Sequence, residues 1–158
     1  MLSPSTNEES TYDDRVQRTG SVGLGGQLAT ILALKELRKA IHGLHTSTSN
    51  LAAATDHSAI VARLCGVVGR LNDYKWTLAR ELERTHSGSK VSRGRMLFRQ
   101  HITFSLGELA EQTERQADEW RSGCNPQPLL RKTCSLALAL GVAIDHIAED
   151  VARFAGRH

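Results

Sequence analysis

Between Ile60 and Leu82 an apolar residue recurs every third or fourth position: Ile60, Leu64, Val67 or Val68, Leu71, Tyr74, Leu78 and Leu82. That spacing gathers all of them on one side of an α-helix. A strand, whose faces alternate every second residue, would scatter them. A seam running for about six turns has to be covered by other helices. The rest of the chain is consistent with this demand. Aromatic residues are scarce at 4% against an apolar share of 40%, so the core must come from Leu, Ala, Val and Ile. Such a core suits helix-on-helix packing better than a sheet sandwich.

Three further helical segments follow from the same spacing. The first starts within residues 21–45, where Leu24, Leu28, Ile31, Leu32, Leu34, Leu37, Ile41 and Leu44 recur, and it ends in the loop-like stretch TSTSN. The seam helix begins between Ser49 and Asp56 and breaks at Ser87-Gly88-Ser89. A third helix covers Arg95 to Trp120, with Phe98, Ile102, Leu106, Leu109 and Ala117 inward, and stops at Cys124-Asn125-Pro126-Gln127-Pro128. A fourth runs from about Pro128 to Phe154, with Gly156 as a stop. Its small residues predict close approach and the deepest burial of the four. Short connections make the expected fold all-α: an antiparallel four-helix bundle, residues 21–158, behind a disordered acidic arm, residues 1–20. At 158 residues the chain can bury a core without staples.

The cysteines fit that picture. Cys65, Cys124 and Cys134 are odd in number and lack C-x-x-C spacing, so no disulfide framework or zinc knuckle is expected. Cys65 and Cys134 read as small buried apolar residues. The N-terminal residues show no secretory pattern, and no apolar run is long enough to cross a membrane. The expected compartment is cytoplasmic.

Charge is unevenly spread. The net value is +3, but residues 1–14 carry Glu8, Glu9, Asp13 and Asp14 with no Lys or Arg, which makes them −4. The remainder holds twenty basic against thirteen acidic residues, or +7. A basic body with an acidic arm suits a polyanionic partner, or assembly in which the arm of one copy meets the body of another.

Several motifs fall short of a catalytic reading. Gly20 to Gln27 (GSVGLGGQ) has two glycines at phosphate-loop spacing, but Gly26 stands where the lysine belongs and no strand precedes it. It reads as a flexible helix entry or hinge. His42 and His45 share a helix face, and Glu83 with His86 forms one E-x-x-H, where a di-iron bundle needs two. No metal is expected there. Glu108, Glu111 and Glu114 lie on the third helix, and Asp145, Glu149 and Asp150 on the fourth. This arrangement resembles in part the Mg²⁺ cage of all-α nucleotide pyrophosphohydrolases, in which E-x-x-E on one helix meets E-x-x-D on another. It departs from that pattern in lacking the leading E-E doublet and in having Ala148 three residues after Asp145. The alternative pattern on the third helix is i, i+4 pairing, Glu111 with Arg115 and Arg115 with Glu119, on a solvated face.

One segment stands out by charge. Arg84 to His101 (RTHSGSKVSRGRMLFRQH) carries Arg84, Lys90, Arg93, Arg95 and Arg99 and no acid. Cations without local partners beside a helix start form an anion or nucleic-acid site. Only Phe98 lies among them, and it fits the core stripe, so contact with duplex backbone or an acidic surface is expected over single-strand stacking. The expected function is therefore a non-enzymatic interaction or self-assembly protein, using the acidic arm and this basic loop as contact surfaces. Its partner would be a protein or further copies of itself. The alternative is a nucleic-acid-binding protein contacting phosphates through Arg84–His101. A second alternative, implied by the resemblance above, is an Mg²⁺-dependent nucleotide pyrophosphohydrolase. No catalytic residue and no cofactor is expected.

Overall fold

The computed structural model describes residues 22–50, 56–84, 93–123 and 125–156. They form four helices: α1 (Val22–Ser49), α2 (His57–Arg84), α3 (Arg93–Arg121) and α4 (Pro126–Gly156). Residues 1–20, read above as a disordered arm, lie outside the described residues, as do Lys90, His86 and Cys124.

α1 runs through the TSTS stretch that reads as a loop. The hydroxyls explain why. Thr46 donates to the His42 carbonyl (2.9 Å), Thr48 to that of Leu44 (2.8 Å) and Ser49 to that of His45 (2.7 Å). Each bond folds the side chain back onto the preceding turn instead of competing for the backbone, and Thr48 is buried by it. α2 opens on Asp56, whose carboxylate accepts the Ala59 backbone N–H (3.1 Å) and the Ser58 hydroxyl (2.9 Å). Those two bonds hold its pKa below the ordinary aspartate value. α3 ends at Gly123, which takes a left-handed φ of 78° that a residue with a Cβ would resist. α4 then starts two residues earlier than its prolines suggest. Asn125 Oδ1 accepts the Gln127 N–H (3.3 Å), and Pro126 and Pro128 occupy a first turn where no N–H has a helical partner.

Cross-helix partners set the direction of each neighbour. Arg38 on α1 meets Asp145 on α4 (3.1 Å); eleven residues on, Ser49 meets Cys134, eleven residues back. Between α2 and α3, Glu83 pairs with Arg99 and Cys65 with Arg121. Between α3 and α4, Phe98 stacks on Phe154 and Glu119 pairs with Lys132. In all three cases position rises on one helix as it falls on the other, so these neighbours run antiparallel.

The α2 seam is buried throughout: Ile60, Leu64, Val67, Leu71, Tyr74, Leu78 and Leu82. Leu37, Ile41 and Leu44 cover it from α1, Ile102, Leu106, Ala110 and Ala117 from α3, and Leu130, Ala137, Leu140 and Ile144 complete the cluster from α4. Burial pushes the Tyr74 hydroxyl up to about 12. α2 packs closely on both α1 and α3, whereas α3 and α4 touch less and leave an open groove of about 440 Å³.

Three sequence expectations give way here. Leu28, Ile31 and Leu32 do not extend the α1 core stripe. They sit 52–59% exposed, about half a turn around from Leu37, Ile41 and Leu44, because 3.6-residue periodicity carries them to the outer face. α4 is not the most enclosed helix, since Ser135, Leu138, Ala139 and Val142 look outward. Cys65 is exposed and accepts an N–H from Arg121 (3.1 Å), and Cys134 is only half-buried.

Candidate functional site

Of the cationic segment, Arg84 ends α2, and Arg93, Arg95 and Arg99 lie on the first turns of α3. Arg99 folds back onto α2, donating to the Ala79 carbonyl (3.4 Å) and to Glu83 Oε1 (3.0 Å). It splices α3 to α2 through Nε and Nη2, and neither of these bonds uses Nη1. Arg84 and Arg95 are half-buried and also engaged. Arg95 and Arg99 are four residues apart and share a face; Arg93 projects elsewhere and is exposed. Lys90 lies outside the described residues. Arg99 thus has partners on α2, Glu83 and the Ala79 carbonyl, that come within reach only when the hairpin forms, and Arg84 and Arg95 have partners as well.

What the fold adds at this end is aromatic. Trp76 is 59% and Phe104 67% exposed. They line the same open groove between α2 and α3, about 370 Å³, together with Lys75, Ala79, Arg99, Gln100 and Thr103. Lys75 Nζ lies 5.0 Å from the Trp76 ring centroid, a cation–π distance. Met96 and Leu97 on the first turns of α3 are also exposed. Sequence reasoning confined to the basic segment missed these rings because they are far apart along the chain. A signal was present: Trp76 and Phe104 both fall off the apolar stripes of their helices.

Gly26 owes its identity to this end as well. A Cβ there would collide with the Glu81 carboxylate across the α1–α2 contact. Glu81 Oε2 is buried with no hydrogen-bond partner among the described residues. That burial raises its pKa, partly offset by the charge of Arg84. The glycine-rich entry thus admits a carboxylate of its own chain.

The acidic residues of α3 and α4 do not converge. Glu108, Glu111 and Glu114 are exposed, and Asp145 is turned toward α1, where Arg38 holds it. Asp150 pairs with Arg153 on its own helix. Glu119 is lowered in pKa by its hydrogen bond to Lys132 and a further one from Gln116. Among the described residues no three His, Cys, Asp or Glu side chains are placed to share a metal ion. The Mg²⁺-cage arrangement implied by the partial resemblance is thus not formed by these side chains. His42 and His45 lie on α1, one exposed and one half-buried; the Glu83–His86 pair cannot be placed, since His86 lies outside the described residues. No helix among the described residues is long and apolar enough to cross a membrane.

No protein family matches this chain, and neither a curated protein nor a solved structure does.

Proposed function

We propose that this chain is a non-enzymatic interaction protein that self-associates, the acidic residues 1–14 of one copy meeting the cationic end of another. One observation carries the reading: apolar side chains remain on outward helix faces although the core is already complete. Leu28, Ile31 and Leu32 on α1, and Leu138 and Val142 on α4, are each more than half exposed. Burying the exposed part of such a side chain against a partner contributes about 1 kcal/mol. Charge supports it, since residues 1–14 at −4 and the rest of the chain at +7 attract at moderate salt. Arm-to-body contacts are heterologous, so they build rings or filaments as readily as dimers.

Light scattering tests this. The full chain should show a mass above that of one chain, and removing residues 1–20 or introducing Leu28→Asp with Ile31→Asp should lower it. A single-chain mass for the full protein at every concentration contradicts the proposal.

A further inference from the structure

We infer that the α2–α3 groove binds single-stranded nucleic acid, with Trp76 and Phe104 as stacking surfaces for bases and Lys75 and Arg99 as phosphate contacts. This goes beyond self-association and does not depend on it. The chain owns two Trp, two Tyr and three Phe, and two of these seven rings are left largely in water in one groove. Neither ring supports the core, which closes without them. Exposed flat rings flanked by cations are the arrangement that holds unpaired bases, because every base has a π-face and every nucleotide a phosphate.

The groove's form selects among anionic ligands. It is open to solvent rather than enclosed, so it suits a chain laid across it rather than a small molecule surrounded on all sides. Two exposed rings call for two flat partners. The acidic arm brings only one, Tyr12, whereas adjacent nucleotides bring a base each. A duplex keeps its bases paired and stacked, leaving the rings nothing to cover. Arg80 and Arg93 are exposed at the same end and extend the positive field along the strand's path. Arg99 already bonds Glu83 and the Ala79 carbonyl through Nη2 and Nε, and neither contact uses Nη1. It is held in place and can still donate to a phosphate.

The test uses the full chain and a strand of about 12 thymidylates, within the span one stacking platform covers. Trp120 is enclosed at 2% exposure, so a change in emission on adding the strand reports Trp76. The strand should quench that emission, and raising salt from about 50 to about 200 mM should weaken binding about tenfold, as for two or three phosphate contacts. By anisotropy of a labelled strand, Phe104→Ala and Trp76→Ala should each weaken binding about tenfold, and a duplex of the same sequence should bind less tightly. Unchanged Trp76 emission overturns the inference, as does binding that ignores both ring substitutions or favours the duplex. So does quenching by a peptide of residues 1–20 but not by the strand, which would make the groove the seat of the arm. Because mass is read separately by light scattering, self-association can stand or fall without deciding this result.

Discussion

The two tryptophans are treated in opposite ways. Trp120, at the end where α3 turns into α4, is 2% exposed. Its indole N–H donates to Thr133 Oγ1 (2.8 Å), and the Thr133 hydroxyl donates on to the Leu129 carbonyl (2.8 Å). His57 meets the ring edge-on at 5.1 Å. The indole N–H and the Thr133 hydroxyl are both bonded, and the ring is enclosed. Trp76, about two turns inside the end of α2, lies largely in the open with Lys75 near its ring, in one groove with an exposed Phe104. Further along α2, Glu81 Oε2 has no hydrogen-bond partner among the described residues. The Trp120 site is finished as protein interior. The α2–α3 groove leaves two rings in water that the core does not use, and that exposure supports the proposed contact there.

The comparison is sharpest in the largest expected effect. Trp120→Ala empties a packed site and strands Thr133, and should lower unfolding free energy by about 3–5 kcal/mol, read from urea denaturation. Thr133→Val keeps the volume but leaves the indole N–H buried without an acceptor. It should destabilise by about 1–3 kcal/mol in the same measurement. Losses well below these at either position would mean the Trp120 end is looser than its bonds indicate.

Glu81 gives a smaller effect that depends on pH. Its folded pKa is raised by burial, so the native state favours the protonated form. The wild type is therefore relatively more stable below the ordinary glutamate range, and that advantage is lost as pH rises through the raised folded value. Glu81→Gln should raise the melting temperature at neutral pH, with the gain vanishing on acidification. A gain that persists in acid would mean the carboxylate is not the cause. A Cβ at Gly26 would push the Glu81 carboxylate to another rotamer.

These contrasts also show what was legible before the fold was known. The α2 seam from Ile60 to Leu82 was legible because periodicity is local, and all seven positions are buried. The four helices were legible for the same reason. The end of α1 was not, because Ser and Thr composition cannot say whether a hydroxyl will bond back to its own helix, as Thr46, Thr48 and Ser49 do. The outward turn of Leu28, Ile31 and Leu32 was not legible either. A run with apolar residues on two faces does not declare which face meets the core. At the candidate site, charge was visible in the sequence but its neutralisation was not. Arg99 meets Glu83 only through the α2–α3 hairpin, and Trp76 meets Phe104 by the same geometry. Residues that become neighbours by packing leave only an indirect trace in the sequence: aromatic side chains standing off the apolar stripe.

The smallest expected effect tests the division between the two tryptophan sites most directly. Urea unfolding of the chain carrying Trp76→Ser and Phe104→Ser should give a free energy within about 1 kcal/mol of the wild type, since neither ring is part of the core. A loss of about 3 kcal/mol or more, comparable to Trp120→Ala, would show that these rings hold the fold together and would contradict their assignment to a contact surface.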